Sequence, residues 1–113
     1  MKFILFICED PEAEPYNRAD DNIFEWVDEL GARSIAGDRL KPAAQAVTVR
    51  RRNGETVVTD GPFTESKEVI AGFDIIEVAS RDEAIDIASR HPMARFGRVE
   101  VREFWPFEDG EFD

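Results

Sequence analysis

The chain has 113 residues, and 14 lysines and arginines against 25 aspartates and glutamates give it a formal net charge of −11. This length predicts a single domain over residues 1–113. The acidic balance argues against binding to nucleic acid or to an anionic membrane surface, because phosphate groups are repelled. Hydrophobic residues make up 42% of the chain, which excludes a disordered acidic segment.

Cysteine and histidine each occur once, as Cys8 and His91. An intrachain disulfide and a Cys/His metal cluster are therefore excluded, and we expect neither a metal nor another cofactor. The apolar run at residues 3–8 is too short to span a bilayer, and no signal-peptide cleavage pattern follows it. These features lead us to expect a cytoplasmic protein.

The first third of the chain predicts a strand, a loop and a helix. Residues 3–8 are continuously apolar, as in a strand covered on both faces. Residues 9–21 contain two prolines and many acids, and they predict a loop. A helix should begin near Asp20–Asn22, whose side chains suit a helix N-terminus, and end at Gly31. Its buried stripe would comprise Ile23, Trp26, Val27 and Leu30.

A β-hairpin is the strongest local signal in the chain. Asn53-Gly54 favours a two-residue type I′ turn between strands at residues 46–52 and 55–59. The preceding residues 35–42 predict a turn region that leaves room for a short strand. The hairpin register would place two pairs opposite each other: Arg52 with Glu55, and Val49 with Val58.

The second half predicts a strand, a helix and a final strand. Residues 72–78 are rich in Phe and Ile, as strands are. Ser80 and Glu83 match a capping box, so a helix should begin there. It should end by His91, because the following proline disfavours helical geometry in the residue before it. Residues 99–104 alternate apolar and charged side chains, as a half-exposed strand does.

This order of elements predicts an α+β fold, a ferredoxin-like sandwich with one antiparallel sheet and two helices on one face. The strands at residues 3–8 and 72–78 are apolar at nearly every position. Their second face should therefore be covered as well. A second copy of the same sheet is the simplest cover, so we expect a homodimer.

Three side chains are candidate catalytic groups. Histidine ordinarily titrates near neutrality, so His91 could act as a general acid or base, or its imidazole could cap the preceding helix. Asp60 could orient that histidine, although an aspartate before Gly-Pro also commonly opens a turn. Asp74 interrupts an apolar strand, where it is either a buried site carboxylate or a solvent-facing edge residue.

Three cations near these turns are candidate ligands for an anionic substrate. Arg39, Arg95 and Lys67 could hold such a substrate through charge-assisted hydrogen bonds. In a chain this acidic, ion pairs with neighbouring carboxylates are the alternative. The basic run Arg50–Arg52 is interpreted as a solvated strand end and not as a nucleic-acid site.

The segment Thr59–Glu68, TDGPFTESKE, followed by Ala71–Phe73, resembles the signature of the YCII-related proteins known as the DGPF family. Gly37–Pro42 and Arg90–Pro92 resemble further parts of the family pattern. The resemblance implies a dimeric α+β barrel made of two ferredoxin-like halves. It also implies kinship of fold with muconolactone isomerases and small cofactor-free monooxygenases.

The same resemblance implies a function for the cleft. It points to a catalytic His–Asp pair, which His91 and Asp60 would supply in this chain. We therefore expect a small-molecule cleft and, if the protein is an enzyme, a cofactor-free isomerase or lyase that moves protons beside a carbonyl. His91 would be the base, Asp60 would orient it, and Arg39 or Arg95 would hold substrate charge.

A second hypothesis is a non-catalytic sensor or regulatory partner of an extracytoplasmic-function sigma factor. The resemblance implies it, because some family members are encoded beside such factors or fused to them. The acidic loop at residues 9–21 and the aromatic tail at residues 104–107 would then form the docking surface. The alternative for the tail is that its rings close the dimer interface, since aromatic residues are favoured in interface cores.

Overall fold

A computed structural model describes residues 1–61 and 69–112 of the chain. None of the helices in these two ranges is long and apolar enough to cross a membrane. Three single-turn 3₁₀ helices, at residues 18–20, 31–33 and 43–45, connect the main elements. The strands and α-helices are β1 (Lys2–Glu9), α1 (Ile23–Leu30), β2 (Ser34–Arg39), β3 (Val47–Arg52), β4 (Glu55–Asp60), β5 (Val69–Glu77), α2 (Arg81–Ser89), α3 (Met93–Phe96) and β6 (Arg98–Glu103).

The main sheet is antiparallel and has the strand order β2-β5-β1-β6. The α+β class with a ferredoxin-like sheet is therefore confirmed. Alternate residues of β1 are buried on the helix-covered face, as the pleat requires. The core on that face comprises Phe3, Leu5, Ile7, Trp26, Leu30, Ile76, Val78, Ala84, Ile87 and Ala88.

The predicted hairpin is confirmed, but it does not join the main sheet. Asn53 and Gly54 have φ values of 53° and 77°, as a type I′ turn requires. The paired residues include Arg52 with Glu55, as predicted. β3 and β4 form a separate two-stranded sheet, and β2 is the strand of the main sheet that occupies the region predicted as a turn. All six residues of β2 are exposed, so its sequence carries no alternation of buried and exposed positions.

Both long helices begin and end where the sequence indicated. Asp21 Oδ1 accepts a hydrogen bond from the Ile23 N–H at 3.1 Å, and Gly31 ends α1 with a φ of 54°. At α2, Ser80 Oγ accepts from the Glu83 N–H at 3.1 Å, so the predicted capping interaction is present. Trp26 Nε1 donates to the backbone carbonyl of residue 87 at 2.8 Å, which joins α1 to α2 beneath the sheet.

Candidate functional site

A cleft of about 440 Å³ opens between the start of α1, the edge strand β2, β5 and the turn after α2. It lies on the helix-covered side of the sheet, beside the core. Its lining combines an apolar floor with a few polar groups, as ligand sites commonly do. The polar side chains are Asp21, Arg39, Asp74 and His91, and the apolar ones include Ile7, Ile23, Val27, Pro92 and Met93. Asp38 and Phe73 also border the cleft, but they pair with each other on the opposite face of the sheet.

Asp74 is a carboxylate within the apolar part of the sheet. It lies on β5, opposite Leu5 on one side and Gly37 on the other, and Leu5 is fully buried. Among the described residues it has no hydrogen-bond or ion-pair partner. Burial, and secondly the negative charge of Asp38, raises the pKa of Asp74 to about 6. The sequence-based alternative of a buried site carboxylate therefore fits better than a solvent-facing edge residue.

Gly37 makes room for this carboxylate. A Cβ atom at position 37 would lie 2.1 Å from Asp74 Oδ1 and 3.2 Å from the backbone oxygen of Phe73. The carboxylate therefore lies directly over the backbone of the edge strand, where any side chain would displace it. Glycine is needed here because of this close approach.

His91 is the buried polar side chain of the cleft, only 5% exposed. Its Nδ1 accepts a hydrogen bond from the Met93 N–H at 3.0 Å, and its ring meets that of Trp26 edge-on with centroids 4.6 Å apart. Because Nδ1 is an acceptor, the neutral ring carries its proton on Nε2. Burial lowers the pKa of His91 to about 4, against the opposing effect of the Asp21 carboxylate.

The Nε2–H group of His91 has no hydrogen-bond partner within residues 1–61 and 69–112. One interpretation of the sequence expected the imidazole to bind the carbonyls at the end of α2. It does not bind them. It instead caps the short α3 through Nδ1, which leaves Nε2 as an available donor.

Asp21 holds the start of α1 beside this histidine. Its Oδ1 accepts from the Ile23 N–H, and its Oδ2 accepts from the hydroxyl of Tyr16. That hydroxyl hydrogen bond raises the pKa of Tyr16. Both carboxylate oxygens are thus engaged, so Asp21 contributes mainly a fixed negative charge beside His91.

The structure brings together some of the residues proposed from the sequence. His91, Asp74 and Arg39 line the same cleft, and Arg39 forms no ion pair with a described residue. Asp60 is the last residue of β4, in the separate hairpin sheet, and it does not line this cleft. No contact between Asp60 and His91 is present among residues 1–61 and 69–112. Lys67 lies outside the described residues.

Arg95 is held away from the cleft by carboxylates. Its Nε donates to Glu14 at 3.0 Å, and its guanidinium lies 3.6 Å from Asp20. The hydrogen bond to Glu14 raises the pKa of Arg95. The ion-paired alternative for this cation is thus the one observed.

A second cleft, of about 450 Å³, is lined by residues 19–22 and shares Asp21, His91 and Pro92 with the first. Its two arginines are already paired, Arg95 as above and Arg90 with carboxylates of α1 and α2. The first cleft therefore offers the stronger site, because its Asp74 and Arg39 are without partners among the described residues.

Asp21 and Asp38 are not among the site residues that the sequence predicts. Asp21 carried only a helix-capping signal, and Asp38 lay in the segment predicted as a turn. The one available signal for Asp38 was its position next to Arg39. Its proximity to Asp74 depends on the pairing of β2 with β5, which no local pattern revealed.

The comparisons with known proteins agree with this fold. Residues 1–108 match the family model of the YCII-related domain. An uncharacterised protein of Rhizobium meliloti (strain 1021) is 45% identical over 75 residues, which cover 65% of this chain and 60% of that protein. The match thus spans less than two thirds of that relative.

Among solved structures, 5-chloro-2-hydroxyhydroquinone dehydrochlorinase from Burkholderia phenoliruptrix AC1100, in complex with 2,5-dihydroxybenzoquinone, is similar with a TM-score of 0.53. The two chains are 20% identical, and the similarity covers 96% of each. At this identity the likeness is one of fold.

Gly37→Ala is expected to lower the free energy of unfolding by about 1–3 kcal/mol, because the new methyl group overlaps the Asp74 carboxylate. Urea denaturation measures the change. In an Asp74→Ala background, the same substitution should cost clearly less, because the overlapping group is gone. An equal cost in both backgrounds would contradict the position of the carboxylate over Gly37.

Asp74→Asn is expected to stabilise the protein in a pH-dependent manner. Folding raises the pKa of Asp74 from 3.8 to about 6, so native stability falls as the pH rises through this window. The amide should raise the free energy of unfolding by about 1–2 kcal/mol near pH 8, allowing for solvent screening, and by almost nothing near pH 4.

Urea denaturation at the two pH values tests this, with Asp28→Asn on the exposed side of α1 as a matched control. A gain of the same size at both pH values would show that burial does not raise the pKa of Asp74.

Proposed function

The chain belongs to the YCII-related family, and we propose that its cleft binds a small molecule and catalyses proton transfer without a cofactor, as an isomerase or lyase. The observation that carries this proposal is the cleft shared by His91 and Asp74, one a neutral donor and the other a carboxylate of raised pKa. A catalytic base works best when its pKa lies near the working pH.

In this proposal Asp74 is the base, in place of the His91 base expected from the sequence. With a pKa of about 6, Asp74 is mostly ionised at neutral pH and still basic enough to accept a proton. With a pKa of about 4, His91 stays uncharged and offers its Nε2–H as a hydrogen-bond donor. Such a donor stabilises an oxyanion as charge develops on it.

The proposed reaction begins with the removal of a proton from the substrate. The Asp74 carboxylate removes a proton from a carbon beside a carbonyl, and the electron pair moves onto the carbonyl oxygen. His91 and the Arg39 guanidinium stabilise that oxyanion. Return of the proton from Asp74 to a different carbon completes an isomerisation. In an elimination, a leaving group departs from the adjacent carbon with its electron pair, and Asp74 then releases its proton to water or to the leaving group.

One structural neighbour supports this proposal. The structural neighbour is named as a dehydrochlorinase, and its structure holds a dihydroxybenzoquinone. A member of the same fold class thus uses a small oxygenated ring compound.

A homodimer is the second part of the proposal. The chain exposes 8789 Å², about 2,500 Å² more than a compact monomer of 12.9 kDa should. Its radius of gyration is 16.7 Å, against about 13 Å for a compact chain of this length. An excess of that size matches what an obligate homodimer buries.

The surface that a second copy would cover is apolar. On the sheet face opposite the helices lie four half-buried side chains, and the hairpin adds valines that are about 60% exposed. These residues are Ile4, Phe6, Phe73, Ile75, Val47, Val49 and Val58.

A regulatory partner is the alternative function, favoured by the aromatic tail. Trp105 is 86% exposed and Phe107 is 77% exposed, so their rings are available to another protein. Micromolar binding of a sigma factor that depends on Trp105 would support this alternative.

The proton-transfer proposal predicts that the protein accelerates deuterium uptake from D₂O by cyclic diketones or γ-lactones, as measured by mass spectrometry. Asp74→Asn should slow uptake by about 10²–10⁴-fold, because the base is lost. Asp28→Asn should not change it. Asp60→Asn should also leave it unchanged, whereas the pairing predicted from the sequence requires a large loss. Uptake no faster than without protein, for every compound, would overturn the proposal.

The dimer proposal predicts a mass of about twice 12.9 kDa by light scattering at micromolar concentration. Val58→Lys should weaken association at least about tenfold, because it places a charge in the apolar interface. Ile85→Lys, at an exposed apolar position of α2, is the matched control and should not. A wild-type mass of 12.9 kDa throughout would refute the dimer.

A further inference from the structure

Two segments, the hairpin β3–β4 and the tail at residues 104–112, place none of their side chains in the core. They carry opposite charges. The hairpin holds the basic run Arg50–Arg52 within a chain of net charge −11, whereas the tail holds Glu108, Asp109 and Glu111. The two segments are therefore complementary in charge.

One face of the hairpin is apolar near its base and basic near its turn. Val49 pairs with Val58, and Arg51 lies two residues further along on the same face. Both valines are exposed. Arg51 donates to the backbone carbonyl of Gly54 at 3.4 Å, and no ion pair joins it to a carboxylate within residues 1–61 and 69–112. This face thus offers apolar contacts and a cation to another segment.

The tail is an aromatic segment that ends in an acidic turn. The Glu111 N–H donates to the backbone carbonyl of Glu108 at 3.1 Å, and the rings of Phe107 and Phe112 meet edge-on with centroids 5.0 Å apart. These two rings and that of Trp105 are exposed. The carboxylates of the turn form no ion pair with a described residue. The tail thus presents the features that the hairpin face lacks.

Strand topology separates the two segments within one chain. The sheet order β2-β5-β1-β6 places β2 and β6 at opposite edges, and these two strands run in opposite directions. The hairpin therefore follows Arg39 at one corner of the sheet, and the tail follows Glu103 at the diagonally opposite corner. The spacing of strands and residues puts these corners about 20 Å apart. A contact between hairpin and tail is thus one between two copies.

Building on the proposed homodimer, we propose that the tail of each protomer docks on the hairpin of its partner. The aromatic rings cover the valines, and the acidic turn pairs with Arg51. A two-fold axis repeats this contact at two equivalent places. Orthogonal packing of the two sheets, one of the two common arrangements, brings the hairpin corner of one copy to the tail corner of the other.

Charge reversal tests the contact in the full chain. Arg51→Glu, and separately Glu108→Lys with Asp109→Lys, should each weaken dimerisation at least about tenfold by analytical ultracentrifugation, because like charges then meet at both contacts. The tail variant is the sharper test, because it makes the chain less negative and so reduces the overall repulsion between copies. Glu12→Lys with Asp28→Lys, at exposed positions outside both segments, is the matched control and should not weaken dimerisation.

Mixing the two charge-reversed variants distinguishes a contact between copies from one within a chain. In a mixed dimer, one contact joins the reversed hairpin to the reversed tail, and the other joins the two native segments. The mixture should therefore dimerise with close to wild-type affinity. Failure of this rescue would overturn the inference.

The accessibility of Trp105 is an independent measurement. Its fluorescence is obtained as the difference between the wild type and Trp105→Phe, and its quenching by acrylamide should fall several-fold in the dimer, because the ring is covered by the partner's hairpin. Undiminished quenching in the dimer would overturn the tail contact and leave the ring free for a different protein.

The outcomes separate this inference from the proposed function. A wild-type dimer that is indifferent to both charge reversals would overturn the tail contact but leave the homodimer standing. A monomeric wild type would overturn both. Proton transfer is judged independently by deuterium uptake, since neither segment lines the cleft.

Discussion

The close approach of the Asp74 carboxylate to the backbone of Gly37 is the contact on which the site depends. Asp74 lies in the register of Leu5 and on the same face as fully buried core residues. Burying a carboxylate at this position costs free energy of folding unless one side of it stays open to solvent. The edge strand provides that opening, because position 37 lacks a side chain. The cleft lies at the edge of the core, where position 37 contributes no side chain to the packing.

Burial acts on both titratable groups of the cleft, and it reverses their order. An ordinary aspartate is a far weaker base than an ordinary histidine. Here the pKa of Asp74 is raised to about 6 and that of His91 is lowered to about 4. Each shift favours the uncharged form in a partly dehydrated site. The carboxylate thereby becomes the stronger base of the two, and the imidazole remains a neutral donor.

The sequence predicted correctly those features that depend on residues close together in the chain. The turn at Asn53-Gly54 requires positive φ at both positions, and the Ser80 cap bonds a backbone group three residues away. β2 gave no such signal, since all of its residues are exposed at the edge of the sheet. The sequence also gave no indication that the hairpin would stay separate from the main sheet, because a hairpin uses the same turn in either arrangement.

The sequence by itself determined the order of most strands and helices, the family resemblance, the acidic charge and the presence of a polar Asp74 in an apolar strand. Only the tertiary structure decided which carboxylate shares a cleft with His91. Strand pairing and helix packing bring positions 37, 74 and 91 together, whereas Asp60 lies in the separate hairpin sheet. Burial and separation between distant segments set the pKa values, and neither can be read from adjacent residues.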